Sequence, residues 1–476
     1  MLQTIAENHF GKENIQSIAP LAQAGSNRKY YRIRLSNNEC YVVCENENIS
    51  ENETFIYFTE VFLNENIAVP KIIYIHPDKK LYILEDLGDE SLLDIVTKKE
   101  DEHRIYSLYE KSLLALVLMQ IKGGKNIDFS RCFAARKFDK YAVLADLNYF
   151  KYYFLDLHEI TYNKQALQTE FDRLAAEIEE IDADYFMYRD FQGRNIMVKN
   201  DTPYFIDYQG GMQGPLQYDV ASLLWQAKAA FPFKLKEELY QFYKTELSKY
   251  ITYYDHIFDS NYRKVLLVRL LQVLGAYGLR GIIEQRGHFL SSIPYGLQNI
   301  SEWIANYGDA VEDYPALTDV LHKLTSGDMQ EKYAVSLQHA DNNLKVTVQS
   351  FSYKKGIPDD TSGNGGGFMF DCRGLLNPGR FDEYKKLTGR DKPVIDFLES
   401  KTKIKDFLNH AKKLVDISMQ DYLNRGFENL QISFGCTGGQ HRSVYCTNNM
   451  AQYLKEKYNV NVEVKHLIQD EKKWIN

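Results

Sequence analysis

The sequence predicts an α+β domain of two lobes, followed by a smaller α/β domain with a mixed sheet. Three features of the pattern carry this prediction. Short strands separated by turns dominate the first hundred residues, helical periodicity dominates the next two hundred, and strands alternate with helices beyond residue 344. Because 476 residues exceed one ordinary hydrophobic core, we expect a first domain over 1–325, a linker over 326–343 and a second domain over 344–476.

Composition and charge narrow the class of protein. The chain is 44% hydrophobic and 26% charged, as folded globular proteins are. Its net charge of −8 gives no general attraction to nucleic acid or anionic membranes, and no run approaches the apolar length that a membrane helix needs. The six cysteines lack C-x-x-C spacing, and the N-terminus lacks a secretion signal. We therefore expect a cytoplasmic protein with reduced thiols, without nucleic acid or membrane partners.

The strands of the small lobe come first along the chain. YYRIRL and ECYVVCE are β-branched and aromatic and are joined by the turn SNN, and LYILEDLG ends a strand in acidic residues. From about residue 102 to 180 the pattern is mostly helical, as in RIYSLYEKSLLALVLMQI. Short strands return at MVK and YFID, and the stretch from 219 to about 310 is helical again. A strand-rich small lobe before a helical large lobe is the order of a protein-kinase-like fold.

Strands and helices then alternate in the second domain. The expected strands are LKVTVQSF, GGFMFDCRG and LQISFG, and the expected helices are DKPVIDFLES, IKDFLNHAKKLVDISMQDYLNRG and SVYCTNNMAQYLKEKY. Between the domains, TSGDMQEKYAVSLQHADNN is polar and without strong periodicity, which is why we interpret it as a linker. Repeated alternation of this kind indicates an α/β domain with some parallel strand pairs.

One constellation in the first domain has the chemistry of phosphoryl transfer. YRDFQGRNIM contains Asp190 and, five residues later, Asn195, while Asp207 ends the strand-like YFID. Phosphoryl transfer needs an acid that orients the attacking hydroxyl and oxygen ligands that hold Mg²⁺ against the nucleotide phosphates. The three residues supply that set in a suitable chain order. We therefore predict a site of phosphoryl transfer at these residues, with ATP and Mg²⁺ as cofactors.

Four stretches of the first domain resemble the aminoglycoside phosphotransferase-like kinase family. They are AGSNRKYYRI, YILEDLG, YRDFQGRNIM and FIDYQGGMQGPLQYDVASLL, and the similarity covers about residues 15–310. The branch that the chain resembles most comprises anomeric kinases of N-acetylmuramate and N-acetylglucosamine, which act in cell-wall recycling. The resemblance implies that Asp190 is the catalytic base and that Asn195 and Asp207 are the Mg²⁺ ligands. It implies support of the catalytic loop by Arg189 and Asp219. It also implies ATP contacts from Gly25, Ser26, Asn27, Arg28, Glu85 and Leu87.

The first domain departs from the family pattern at two positions. Tyr188 stands where the family usually has histidine before Arg-Asp, a change that the loop tolerates. Cys44 stands where most kinases of this fold carry the lysine that grips the nucleotide phosphates, and a thiol supplies no such charge. The change at Cys44 fits the sugar-kinase branch. It also leaves open the alternative that the domain is a pseudokinase, which has the kinase fold without the activity.

A glycine-rich stretch in the second domain predicts an anion site. In LQISFGCTGGQHRSVY a strand leads into a glycine turn and then into a helix that begins near Ser443. Backbone N–H groups and a helix N-terminus bind anions without a side chain, and His441 and Arg442 add donors. Because the loop lacks a Lys-Ser/Thr pair, we expect it to bind a singly phosphorylated small molecule rather than ATP with Mg²⁺. Lys354, Asp371 and Arg373 follow other strand ends and are candidates for the same site.

The second domain resembles the C-terminal domain of the RNase adapter protein RapZ. The motifs SFSYKKG, FDCRGLLNPGR, TGRDKPVIDFLES and FGCTGGQHRSV carry this resemblance over residues 344–476. In that family the domain senses glucosamine-6-phosphate. The resemblance implies a phosphosugar site formed by Asp371, Arg373, Thr437, Gly438, Gly439, His441, Arg442 and Ser443.

These observations lead to one main hypothesis and two alternatives. The main hypothesis is an ATP- and Mg²⁺-dependent kinase of an amino sugar, with the anomeric hydroxyl as the expected acceptor, joined to a domain that binds an amino-sugar phosphate. The first alternative is a non-catalytic sensor or adapter, a pseudokinase that regulates amino-sugar metabolism through a protein partner. Under either hypothesis the C-terminal domain is the candidate surface for a protein partner or a homo-oligomer. The second alternative is a kinase of choline-like or aminoglycoside substrates, because a fold resemblance does not select the acceptor.

Overall fold

The structure of the chain is a computed structural model. It describes residues 2–21, 28–284, 287–338, 344–359, 367–424, 427, 429–458 and 460–471. The chain divides into two compact units, Met1–Gly275 with Tyr295–Thr325 and Ala276–Pro294 with Ser326–Asn476. Segment 276–294 thus groups with the second unit, although the sequence analysis placed it in the first domain.

The first unit begins with a five-stranded antiparallel sheet and two helices. The strands have the order β1-β2-β3-β5-β4 in the sheet. These elements are α1 Leu2–Phe10, β1 Ile15–Pro20, β2 Lys29–Leu35, β3 Cys40–Glu45, α2 Ile49–Asn64, β4 Ile72–Ile75 and β5 Leu81–Glu85. The sequence pattern predicted strands here but neither helix. For α2 the signal was present, because Asn48 caps its first turn and Phe55, Phe58 and Phe62 recur at helical spacing.

The two faces of this sheet have different roles. On β2, Ile33 and Leu35 join a small core with Val43 of β3 and Ile5 of α1. Because side chains alternate along a strand, Tyr30 of β2 points to the opposite face. Cys44 lies on that face too, paired in register with Tyr30 on one side and Tyr82 on the other. The face opposite the small core is therefore the one that carries the position of the missing lysine.

The large lobe is helical, with four short strands. Its elements are α3 Leu92–Thr97, α4 Glu102–Leu118, α5 Gly124–Asn126, α6 Lys140–Tyr153, α7 Lys164–Glu179, β6 Tyr185–Met187, β7 Ile196–Lys199, β8 Thr202–Phe205, β9 Met212–Gly214, α8 Gln217–Leu224, α9 Phe233–Leu247, α10 Asp255–Tyr277, α11 Gly287–Leu290, α12 Ile293–Tyr307 and α13 Pro315–Leu324. Helix α11 belongs to the second unit.

The short strands place the predicted catalytic residues. β6 pairs with β9, and β7 pairs with β8, both antiparallel. The segment from β6 to β7 carries Asp190 and Asn195, and the segment from β8 to β9 carries Asp207. The two segments that connect the β7–β8 hairpin with the β6–β9 pair therefore present these side chains.

Helix α10 and its π-helical end contain a long apolar stretch. By length and composition, Asp255–Ile283 is the one described helix that passes the test for a membrane span, and 56% of its apolar window is buried inside the protein. Val265 to Leu271 are all buried. Burial of this kind is typical of the core helix of a folded domain.

The second unit contains a four-stranded sheet in the order β11-β12-β10-β13. Its further elements are α14 Gly327–Gln338, β10 Lys345–Ser352, β11 Gly367–Asp371, α15 Lys392–Lys401, α16 Ile404–Asn424, β12 Asn429–Cys436, α17 Arg442–Tyr458, β13 Asn461–His466 and α18 Leu467–Glu471. All three strand pairings are parallel. The sheet is thus parallel rather than mixed, because helices carry the chain back between β11 and β12 and between β12 and β13.

Part of the predicted linker is helical. Helix α14 occupies most of the described part of 326–343, and residues 339–343 lie outside the described residues. Met329 and Tyr333 are buried on α14. Their i, i+4 spacing is the apolar stripe that the polar composition of this segment obscured.

Candidate functional site

The loop that carries Asp190 is held by a buried carboxylate. Asp219, on α8, is fully buried and accepts the backbone N–H groups of Tyr188 at 2.7 Å and Arg189 at 3.0 Å. Burial raises the pKa of Asp219 to about 7, while these two donors oppose the rise. Arg189 has φ of 79°, a left-handed backbone that costs energy outside glycine. Asp219 therefore fixes the turn that leads into Asp190.

Two further side chains brace the same turn. Arg189 makes a two-pronged ion pair with Asp146 of α6, with N–O distances of 2.6 and 2.7 Å, and donates to the Tyr218 hydroxyl. The Tyr188 hydroxyl donates to the carbonyl of Ile206, the residue before Asp207. Tyr188 thus connects the loop of Asp190 with the loop of Asp207, from the position where the family usually has histidine.

Asp190 and Asn195 lie together in this loop. The Asn195 side chain is buried and donates from Nδ2 to the backbone carbonyl of Asp190 at 2.9 Å. This bond uses the amide nitrogen, so the amide oxygen is the ligand atom that Asn195 offers. The Asp190 side chain is 47% exposed, which leaves its carboxylate open to a substrate.

Arg269 is a site residue that the sequence analysis missed. It is buried on α10, with Nη2 3.6 Å from Oδ1 of Asp190. Its Nε donates to Ser222 at 3.1 Å, while Nη2 is buried without a hydrogen-bond partner in the described structure. The available signal was an arginine inside the apolar run RKVLLVRLLQVLGAYGL, since a charge in a core helix needs a partner.

Asp207 is bound to an arginine from the small lobe. Its backbone is left-handed, with φ of 70°, and its Oδ1 accepts Nη2 of Arg28 at 2.5 Å and Nε2 of Gln209 at 2.8 Å. Arg28 is 8% exposed, and its Nε also lies 3.5 Å from the carboxylate of Glu51 in the first turn of α2. One buried guanidinium therefore bridges an acid of α2 and the predicted metal ligand.

The environment of Arg28 keeps it charged. Burial alone would lower the pKa of Arg28, but the neighbouring Tyr30 and Asp207 outweigh burial and raise it. Cys44 supplies no charge at its own position, where burial raises the pKa of the thiol. Arg28 thus places a buried cation near Cys44, which carries no charge itself. Gly25, Ser26 and Asn27, predicted to cover the nucleotide phosphates, lie outside the described residues.

A cavity of about 510 Å³ lies at the end of β5, where Glu85 and Leu87 are predicted to contact ATP. Its lining includes Glu85 and Leu87 together with Arg32 of β2 and Lys199 of β7. Lys199 pairs with Glu85 at 2.9 Å, and Arg32 pairs with Asp86 at 2.5 Å. The segment at the end of β5 is therefore anchored by two ion pairs at the mouth of a cavity.

The donors near Asp190 suit a magnesium ion that the nucleotide also binds. Asn195 offers an amide oxygen and Asp207 a carboxylate, and hard oxygen ligands of this kind are those that Mg²⁺ prefers. Within the described residues, no group of three or more His, Cys, Asp or Glu side chains forms a metal cage. Two protein ligands with phosphate oxygens and water are a common Mg²⁺ arrangement in phosphoryl transfer. The donor set therefore fits the ion.

The glycine-rich loop of the second unit joins β12 to α17. Gly439 has φ of 65°, and a Cβ there would lie 2.5 Å from Ile468. A Cβ at Gly438 would meet nothing within 4 Å, so open space adjoins this residue. Ser352, at the end of β10, donates to the carbonyl of Thr437 at 2.8 Å. The loop is thus anchored at its start and open at Gly438.

His441 and Arg442 are buried and bind the backbone of neighbouring segments. His441 Nε2 lies 2.9 Å from the carbonyl of Tyr384, and burial lowers the pKa of His441. Arg442 Nη1 donates to the carbonyls of Arg373 at 3.1 Å and Leu375 at 2.6 Å, and its Nη2 lies 3.5 Å from Thr437 Oγ1. The sequence analysis assigned both side chains to a ligand, whereas the structure uses much of their hydrogen-bonding capacity within the protein.

Asp371 and Arg373 lie at the carboxyl end of β11. They pair with each other at 2.7 Å, and this bond holds the pKa of Asp371 below its usual value. The Arg373 guanidinium lies 3.8 Å from the centre of the Tyr353 ring. Arg442 contacts both the Arg373 carbonyl and Thr437 of the glycine-rich loop. The Asp371–Arg373 pair therefore lies near that loop. The Ser443 hydroxyl faces Cys436, at 3.1 Å, beneath the loop.

Comparison with known families gives two matches along the chain. A model of the phosphotransferase enzyme family matches residues 17–253, and a model of the RapZ C-terminal domain matches residues 344–469. The first match contains Asp190, Asn195 and Asp207. The second contains the glycine-rich loop.

Individual relatives match over part of their length. A nucleotide-binding protein of Pasteurella multocida is 31% identical over 186 residues, which are 38% of this chain and 62% of that protein. One of Glaesserella parasuis is 30% identical over 214 residues, 44% of this chain and 72% of that protein. Choline kinase of Cryptosporidium parvum is a solved structure with a TM-score of 0.46 and 14% identity, covering 67% of this chain and 99% of that one.

Proposed function

Because the chain belongs to the phosphotransferase enzyme family over residues 17–253 and carries a RapZ C-terminal domain over residues 344–469, we propose that it is an ATP-dependent amino-sugar kinase. Its acceptor is an amino sugar of the N-acetylmuramate or N-acetylglucosamine type, phosphorylated at the anomeric hydroxyl. The RapZ C-terminal domain binds an amino-sugar phosphate such as glucosamine-6-phosphate. The setting is cytoplasmic cell-wall recycling.

The observation that carries the proposal is the bridge made by Arg28. A kinase of this fold without its phosphate-gripping lysine needs another cation near the nucleotide phosphates. Arg28 binds Asp207 at 2.5 Å and lies 3.5 Å from Glu51, so it is held beside the predicted metal ligand. This favours a catalytic chain over the sensor alternative, which Cys44 alone had supported.

Each residue of the site has a defined part in the proposed transfer. Asp190, with its carboxylate 47% exposed, accepts a hydrogen bond from the acceptor hydroxyl and takes its proton as the phosphoryl group moves. Asn195 and Asp207 would hold Mg²⁺, which neutralises charge on the nucleotide phosphates when bound. Arg28 faces the same phosphates with its fixed charge. Asp219 keeps the loop in place.

The test of catalysis compares the full chain with one variant. Purified protein is offered ATP, Mg²⁺ and a panel of amino sugars, and ADP release is followed. Asp190→Asn keeps the size of the side chain and removes its capacity to take a proton, so sugar-dependent ADP release is expected only from the unaltered chain. Equal ADP release from both proteins, or no ADP release with any sugar, would contradict the proposal that the chain is a kinase.

The test of phosphosugar binding uses the open space at Gly438. In Gly438→Ala the added methyl group meets no protein atom within 4 Å, so the fold tolerates it while the methyl narrows the loop. Calorimetry with glucosamine-6-phosphate should show binding by the unaltered chain and weaker binding by this variant. Gly327→Ala is the matched control, because a Cβ there also meets nothing within 4 Å. Equal affinity in all three proteins would place the ligand elsewhere.

A further inference from the structure

The sulfur of Cys436 has an environment that the proposed function does not use. Cys436 ends β12 and is 3% exposed, directly before the glycine-rich loop. Ser443 Oγ lies 3.1 Å from its Sγ, and the backbone N–H groups of Gln440 and Ser443 donate to the same atom. Several donors that converge on one sulfur stabilise a thiolate, which only accepts hydrogen bonds.

Arg442 gives an independent indication that an anion belongs in this loop. It is the first residue of α17 and 3% exposed, and its Nη2 lies near Thr437, the first residue of the loop. Its Nε is buried without a hydrogen-bond partner in the described structure. A buried guanidinium with a free donor next to an anion cradle favours a charged ligand.

The electrostatic effect on the thiol agrees with this geometry. Burial alone would raise the pKa of Cys436, but the donors from Ser443 and Gln440, together with the charge of Arg442, hold it below the usual value. The contrast with Cys372 is direct, since the pKa of that buried thiol is raised. Cys436 therefore combines a stabilised thiolate, an adjacent arginine and open space at Gly438.

We propose that Cys436 is the nucleophile of a second activity, the hydrolysis of small phosphomonoesters bound in the glycine-rich loop. This goes beyond the proposed function, in which the loop only binds. The thiolate attacks phosphorus, an S–P bond forms, and the P–O bond to the organic group breaks. The departing oxygen takes a proton from water, and the hydroxide so formed attacks phosphorus. The S–P bond then breaks, which releases inorganic phosphate and restores the thiolate, so one water molecule is consumed.

The loop residues have distinct parts in this sequence. The Arg442 guanidinium and the backbone N–H groups of the loop neutralise charge on the phosphoryl oxygens. The Ser443 hydroxyl stabilises the thiolate when it leaves in the second step. The two steps are separable, because loss of the Ser443 hydroxyl affects the breakdown of the S–P bond.

The first experiment measures inorganic phosphate released from p-nitrophenyl phosphate and from glucosamine-6-phosphate by the full chain. Cys436→Ser is expected to lower the rate by roughly 10³-fold or more, the scale of losing a nucleophile. Cys132→Ser, a half-buried cysteine of the first unit, is the matched control and should release phosphate as the unaltered chain does. No release by the unaltered chain, or full release by Cys436→Ser, would overturn the proposal.

A second measurement does not depend on the folding of Cys436→Ser. Ser443→Ala is mixed with p-nitrophenyl phosphate, quenched rapidly and examined by peptide mass spectrometry. A phosphoryl group on Cys436 is expected to accumulate. Phosphate release by this variant without any phosphorylated Cys436 would overturn the covalent step. Binding of glucosamine-6-phosphate with no phosphate release would retain the proposed binding role and reject hydrolysis.

Discussion

Arg28 offers the sharpest test of how this chain works without the usual lysine. Arg28→Met keeps an apolar stem of similar length and removes the cation. Asp207 and Glu51 then lose their shared partner, and the nucleotide phosphates lose the charge beside them. We expect both weaker nucleotide binding and slower transfer.

The size of the loss follows from the contacts of Arg28. A hydrogen bond to a charged group contributes about 1.5–3 kcal/mol, and the Arg28–Asp207 bond is of this type. At about 1.4 kcal/mol for each factor of ten, kcat/KM should fall roughly 10- to 150-fold. Lys29→Met is the matched control, because Lys29 is exposed and its loss removes the neighbouring charge without affecting the bridge.

A double variant tests whether a lysine at position 44 can replace the cation of Arg28. Cys44 lies across from Tyr30 in the strand register, and the charge of Arg28 acts on its thiol, so Cys44→Lys alone puts a second cation into a buried space. In Arg28→Met/Cys44→Lys the second cation replaces the first. ADP release and calorimetric ATP affinity should fall in each single variant and recover in the double variant. Unchanged values in Arg28→Met, or no recovery in the double variant, would refute the substitution of one cation for the other.

Three further changes test other parts of the chain. Arg269→Met removes the buried cation 3.6 Å from Asp190. The rate of ADP release should fall by roughly tenfold or more while ATP affinity is retained. An equal loss of rate and of ATP affinity would contradict a role specific to Asp190. Burial lowers the pKa of His466 to about 4, so the folded state excludes a proton that the unfolded chain binds below pH 6.5. The free energy of unfolding should therefore fall as the pH drops from 6.5 towards 4, by up to about 1.4 kcal/mol per pH unit. His466→Gln should flatten that dependence in urea unfolding, and an unchanged slope would contradict the assignment. Gly439→Ala combines a left-handed backbone with a Cβ 2.5 Å from Ile468, and it should lower the melting temperature, unlike Gly438→Ala.

Local patterns predicted most of the fold. Period-two strands and helical stripes are written in consecutive residues, so YYRIRL and YVVCE gave strands where β2 and β3 lie. Helix α2 and helix α14 were missed because their polar residues outnumber or interrupt the apolar stripe. The parallel sheet was predicted only as mixed, since strand direction depends on how the connecting helices return.

Some features of the candidate sites were likewise predictable from the sequence, and others depended on the fold. The spacing of Asp190, Asn195 and Asp207, and the glycine-rich stretch before Arg442, are visible in the sequence because each set lies within a short stretch of chain. The engagement of His441 and Arg442 with backbone carbonyls was not predictable, because their partners belong to segments far away along the chain. Side chains that bind a ligand and side chains that hold a loop are the same residue types.

The sequence by itself determined that the chain has a phosphotransferase domain with its three acidic and amide side chains, and a second domain with a glycine-rich loop between a strand and a helix. The tertiary structure decided that Arg28 pairs with Asp207. Arg28 and Asp207 are 179 residues apart, and only the packing of β2, α2 and the loop after β8 brings them together. It likewise decided that Arg269 faces Asp190 and that several donors converge on Cys436. Charge neutralisation and thiolate stabilisation act over a few ångströms, so they depend on contacts that sequence spacing does not record.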